Sequence, residues 1–151
     1  MVFRHTYDMD SRHMSDTSKR LPAGGSPGEP EDGFASLVQD ALEHLYDYAY
    51  LQTHPLADRL QSEAGLPARE RMRLLRATLL EAIGELNPGP GVPFRSLQAR
   101  AYNVLNLRYV AGMTVDAVAR ELAISDRQLY RDLCKAERDL AALLWSSLPS
   151  A

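Results

Sequence analysis

The sequence predicts an all-α protein, with a helical N-terminal part, a C-terminal helix-turn-helix and five to six helices in all. Three observations carry this expectation. Apolar residues recur at three- and four-residue spacing through most of 34–145, the period of a helix with one buried face. Gly and Pro punctuate these stretches at 65–67 and 87–93, where helices stop. The segment from Thr114 to Leu133 reads as two short helices joined by a tight turn.

Residues 1–32 are expected to form a disordered tail, because Pro22, Gly24, Gly25, Pro27, Gly28 and Pro30 lie among Ser, Asp and Glu with little apolar periodicity. Asp32 or Gly33 can start the first helix, in which Phe34, Leu37, Val38, Ala41, Leu42 and Leu45 keep helical spacing. The stretch Tyr46 to Leu51 can extend that helix or line its exit. Pro55 suits a first helical turn, and Leu56, Leu60 and Ala64 follow it until Gly65 and Pro67 intervene. A strong helix is expected from about Ala68 to Leu86, with Met72, Leu75, Leu79, Ile83 and Leu86 on one stripe. Glu81 and Glu85 near its C-terminal end oppose the helix dipole, so packing must hold it. Together 33–86 form a part suited to support, dimerisation or regulation.

Residues 87–94 read as a Pro/Gly linker, and 95–151 as the part that holds the helix-turn-helix. Helix resumes near Arg95 and runs to about Val110, with Gly112 as its stop. Thr114 is a good N-cap for a helix from Val115 to Leu122. Val118, Ala119 and Leu122 form its inner face, Ala123 takes the turn, Ile124 plugs the core and Ser125 caps the next helix.

At 151 residues the chain suits one domain with an appended tail. Its single cysteine, Cys134, excludes an intrachain disulfide and a cysteine-based zinc site. No apolar run is long enough to span a membrane, and the polar N-terminus lacks the centre of a secretory signal; a cytoplasmic protein is the expectation. The net charge is -3, yet residues 95–151 carry eight basic and six acidic side chains. The helix-turn-helix part is therefore the net-positive one.

The last helix separates its faces. Projected at about 100° per residue from Arg127, Arg138 falls at about 20°, Arg131 at about 40°, Lys135 at about 80° and Gln128 at about 100°. Leu129, Leu133, Ala136, Leu140 and Leu143 fall between about 160° and about 240°. One face is packed and the other is free to enter a major groove, with 126–138 as the recognition helix. Arg127, Gln128 and Arg131 lie in its first turns. Arg can pair with guanine and Gln with adenine through two hydrogen bonds each. Lys135 and Arg138 lie further along and suit phosphates. Tyr130, at about 300°, borders the core or the DNA backbone. The candidate DNA-binding residues are thus Thr114, Ser125, Arg127, Gln128, Tyr130, Arg131, Lys135 and Arg138.

The segment from Leu107-Arg108-Tyr109 through Gly112, Thr114 and Ile124-Ser125 to Ala136-Glu137-Arg138-Asp139-Leu140 resembles region 4 of bacterial sigma factors and related response-regulator output domains. The resemblance covers about 35 residues and implies promoter-type duplex DNA. Ala123 departs from the usual turn glycine, and no segment resembles the sigma region that binds the -10 element. The part containing Leu45-Tyr46-Asp47 and His54-Pro55-Leu56-Ala57 resembles the N-terminal module of multidomain bacterial regulators.

The expected function is sequence-specific duplex DNA binding in bacterial transcription regulation by a homodimer, without enzymatic activity, cofactor or metal. The alternative is a protein-interaction module that docks RNA polymerase or another regulator. An enzyme built on His44, His54 and the tyrosines is the remaining reading. Metal binding needs three or four convergent ligands, so His44 and His54, with Asp47 and Asp58 nearby, read as surface or capping histidines. Tyr46, Tyr48 and Tyr50 read as packing at a helix edge rather than a pocket. Cys134, at about 340°, stands beside the basic stripe, where its oxidation could switch DNA binding. Leu144 and Trp145 either close over the first half of the chain or join a dimer seam.

Overall fold

Gly33 holds a left-handed φ of 92°, a conformation open to a residue without a Cβ. From it α1 runs Phe34–Glu43 and buries Phe34, Val38, Ala41 and Leu42. The computed structural model describes Pro30, residues 33–60 and residues 65–148. Apart from Pro30, the expected tail lies outside the described residues, as does Ala64. The chain turns over 44–46, and the Asp47 carboxylate accepts from the backbone N–H of Tyr50 (3.2 Å). That cap starts α2 (Tyr48–Gln52), so the ambiguous Tyr46–Leu51 stretch is a turn followed by a new helix. α3 (Pro55–Leu60) begins at its proline, as expected.

α4 (Ala68–Glu85) buries Leu75, Leu79, Ala82 and Ile83, close to the expected stripe, with Met72 and Leu86 half-buried. Helix resumes at Leu97, two residues after Arg95. Ser96 donates through both its backbone N–H (3.1 Å) and its hydroxyl (2.8 Å) to the Pro93 carbonyl. The resulting turn holds Arg95 out of the helix. A 3-10 turn at Leu97–Ala99 leads into α5 (Arg100–Leu105), which widens into one π-helical turn at Asn106–Val110. Gly112, at φ 75°, ends it.

α6 (Val115–Leu122) and α7 (Asp126–Ser146) complete the chain. The described residues therefore hold seven α-helices, against the five to six expected, because the first stretch breaks in two and the short segments are helical. The class is all-helical. α7 packs against α1, α4, α5 and α6. One continuous apolar cluster reaches from Phe34 and Val38 through Leu79 and Val104 to Leu140 and Leu144. The 87–94 linker connects two stretches that share this core. Trp145 meets the Phe34 ring edge-on at 5.1 Å, and the Arg59 guanidinium lies over both rings. The end of α7 thus closes over the first half of the chain.

Candidate nucleic-acid interface

Thr114 has extended backbone angles, and its hydroxyl oxygen accepts from the Ala117 N–H (3.1 Å). This cap sets α6, whose inner residues Val118, Ala119 and Leu122 are buried. The helix stops at Ala123, which has φ 59°. The Ala123 N–H donates to Arg120 (3.1 Å) and the Ile124 N–H to Ala119 (3.0 Å). These two bonds form the Schellman arrangement that closes a helix around a left-handed residue. Half-buried Ile124 packs on the core, as expected. Ser125 then caps α7 by accepting from the Gln128 N–H (3.0 Å). Each capping oxygen accepts one bond, so its own O–H can still donate to an outside group.

Along α7, Leu129, Leu133, Ala136, Leu140, Ala141 and Leu144 are buried. Arg127, Arg131, Lys135 and Arg138 are exposed. Arg127, Arg131 and Arg138 have no hydrogen bond or ion pair among the described residues. Lys135 pairs with Asp139 at 3.3 Å, an exposed contact of little energetic weight. Gln128 differs from the other candidates. It is half-buried, and its amide donates to Asp132 (2.9 Å), so it must release that bond before it can read a base. Tyr130 is exposed at 48 % and borders the arginine face.

Two polar ties fix the flanks of this helix. On one side Arg100 of α5 donates to Asp132 (2.8 Å), with both side chains 16 % exposed. On the other, Tyr109 of the π-turn donates to Glu137 (2.5 Å). Burial and the nearby Glu43 charge push the Glu137 carboxyl up to about 7, against the Tyr109 hydrogen bond, Arg108 and Arg138. Burial and the Glu137 carboxylate likewise push the Tyr109 hydroxyl upward. The basic face is thus carried on a helix held at both edges. Neither tie was foreseen from the sequence; the only sign was an acidic residue at each border of a basic stripe.

The remaining candidates have local roles. His54 is 2 % exposed. Its Nδ1 accepts from the Leu56 N–H (3.0 Å), which leaves Nε2–H to donate to Asp40 (2.9 Å). It is a capping histidine. His44 stacks on Tyr50 at 3.9 Å, and the Tyr50 hydroxyl donates to Asp40 (2.6 Å). Burial alone would raise the Asp40 carboxyl, but the hydrogen bonds from Tyr50 and His54 outweigh it and hold Asp40 below its ordinary value. Asp47 caps α2 and Asp58 pairs with Arg71. Among the described residues no group of three or more His, Cys, Asp or Glu is placed to hold a metal ion. The Tyr46 hydroxyl donates to the Val110 carbonyl (2.7 Å). Cys134 is exposed, but partial burial and the Glu137 charge push its thiol up, away from the reactive thiolate. No described helix is long and apolar enough to cross a membrane. The chain matches no protein-family model, no curated protein and no solved structure.

Proposed function

We propose that this chain binds duplex DNA in a sequence-specific manner, as a cytoplasmic regulator of bacterial-type transcription, with the N-terminal turns of α7 in the major groove. One observation carries the reading. Arg127, Arg131 and Arg138 stand exposed and, among the described residues, unpaired on one face of a helix whose opposite face is buried and whose flanks are pinned. A held helix with unpaired guanidiniums can enter a groove without reorganising. Arg127 and Arg131 are the base readers, because arginine can donate two bonds to guanine. Lys135, Arg138, Tyr130 and the hydroxyls of Thr114 and Ser125 suit the phosphate backbone. The resemblance of 107–140 to sigma region 4 supports the same reading.

Salt titration tests it. Each phosphate neutralised contributes about 0.9 to the slope of log affinity against log salt. Lys135→Ala/Arg138→Ala is expected to lower both affinity and slope, whereas Arg127→Ala/Arg131→Ala is expected to lower affinity for a cognate site with the slope little changed.

A second reading, docking onto RNA polymerase or another regulator without DNA contact, is favoured by a different feature. Phe94 is 43 % and Leu97 80 % exposed, on a turn that is held in place. Asn103 donates to the Phe94 carbonyl (2.7 Å), and Arg95 donates to the Glu121 carbonyl (3.0 Å). Binding of core polymerase that is lost in Leu97→Ser and kept in Arg127→Ala/Arg131→Ala would favour that reading.

A further inference from the structure

Tyr46, Tyr48 and Tyr50 are 55 %, 47 % and 42 % exposed, within one five-residue run. Tyrosine and arginine are enriched at the centres of protein interfaces, where rigid rings contribute much area at little entropic cost. Here they already occur together. The Arg76 guanidinium lies 5.2 Å from the Tyr46 ring centre and 5.0 Å from that of Tyr48, and its Nε donates to the Leu45 carbonyl (2.8 Å).

The charges around this strip are sorted. Arg69 and Arg73 are exposed on α4, within about 60° of Arg76 when α4 is projected at about 100° per residue. Among the described residues Arg73 pairs with Glu70, at 3.5 Å on its own helix, a weak contact. Beyond Tyr46 stand the exposed carboxylates of Glu43 and Asp47, which border an open groove with His44, Arg108 and Tyr109. Arg108 also lines that groove, and it is engaged with the Met113 carbonyl and the Tyr109 ring. The face therefore runs from arginines, across tyrosines, to carboxylates. A twofold axis through the tyrosines would set the arginine flank of one copy on the carboxylate flank of the other. Such a self-complementary pattern suits an isologous interface.

We propose that the tyrosine strip, flanked by Arg69 and Arg73 on one side and Glu43 and Asp47 on the other, pairs two copies of this chain. The paired state would present two α7 helices to two half-sites; that use rests on the DNA reading above, whereas the pairing does not.

Sedimentation velocity of the full chain over a concentration series tests it. The wild type is expected to dimerise. Arg73→Glu and Glu43→Arg are each expected to sediment as monomers, with unchanged circular dichroism as the control for folding. An equimolar mixture of the two is expected to recover the dimer, because the swap restores opposite charges at both contacts. Tyr48→Ser should weaken the dimer without touching either flank. A wild type that stays monomeric overturns the proposal, as does a dimer unmoved by all three variants or two monomers that fail to recombine. DNA affinity is read separately: a dimer that binds no DNA would contradict the DNA reading and leave this surface standing.

Discussion

Arg131 and Gln128 sit one turn apart on α7, yet their side chains begin from different states. Arg131 is exposed and unpaired among the described residues, whereas Gln128 is bonded to Asp132, which also receives Arg100. Arg131→Ala is therefore expected to cost roughly 1–3 kcal/mol on a cognate site and to relax specificity there. Gln128→Ala should cost less, because a bound Gln128 must first give up Asp132. Anisotropy titrations of both variants on one selected duplex check the order. Ala123 offers a second prediction at this scale. A left-handed alanine is strained by roughly 1–2 kcal/mol, while glycine loses about 0.5–1 kcal/mol in chain entropy. Ala123→Gly should thus stabilise the fold by up to about 1 kcal/mol in denaturant unfolding. Thr114, Ala123 and Ser125 were legible in the sequence because caps and turns act within a few residues. The Gln128–Asp132 bond is an i,i+4 pair of the same local kind, but the arginine that holds Asp132 in place lies 32 positions away and was not legible.

α7 is at once the centre of the core and the carrier of the arginine face. Its separation into stripes was legible, since periodicity is a property of one helix. Its two ties were not, because Arg100–Asp132 and Tyr109–Glu137 span 32 and 28 positions and no local pattern marks them. The helix expected from near Arg95 starts two residues later, at Leu97, for a local reason: the Pro93–Ser96 turn competes with helical bonding. Glu137 gives α7 a pH dependence of defined sign. Its folded value of about 7 lies above the ordinary 4.5, so between these values the folded chain holds a proton that the unfolded chain has released. Its contribution to stability is present below about 4.5 and is lost as pH rises through about 7. Thermal melts are expected to show wild type losing ground to Glu137→Gln across that window, with the two converging at its acidic end. Parallel curves would contradict it.

Across the whole molecule, the apolar cluster shared by α1, α4, α5 and α7 makes the linker a connection within one core. Leu140 is fully buried at its centre, so Leu140→Ala should cost about 2–5 kcal/mol. It should unfold both stretches in one transition, seen by near- and far-ultraviolet circular dichroism together. The all-α class was legible from spacing alone, and most helices begin near a cap or proline visible in the sequence. How the two stretches meet was not, because Phe34 and Trp145 lie at opposite ends of the described chain. The same packing places the arginine face of α7 outward, and the account depends most on what that face does. Fluorescence anisotropy of the folded chain against a pool of random duplexes, titrated over salt, tests it most directly. Salt-sensitive binding that is weakened in Lys135→Ala/Arg138→Ala is the predicted result. A folded wild type that binds no duplex at low salt, or a double variant that binds as well as wild type, would contradict it.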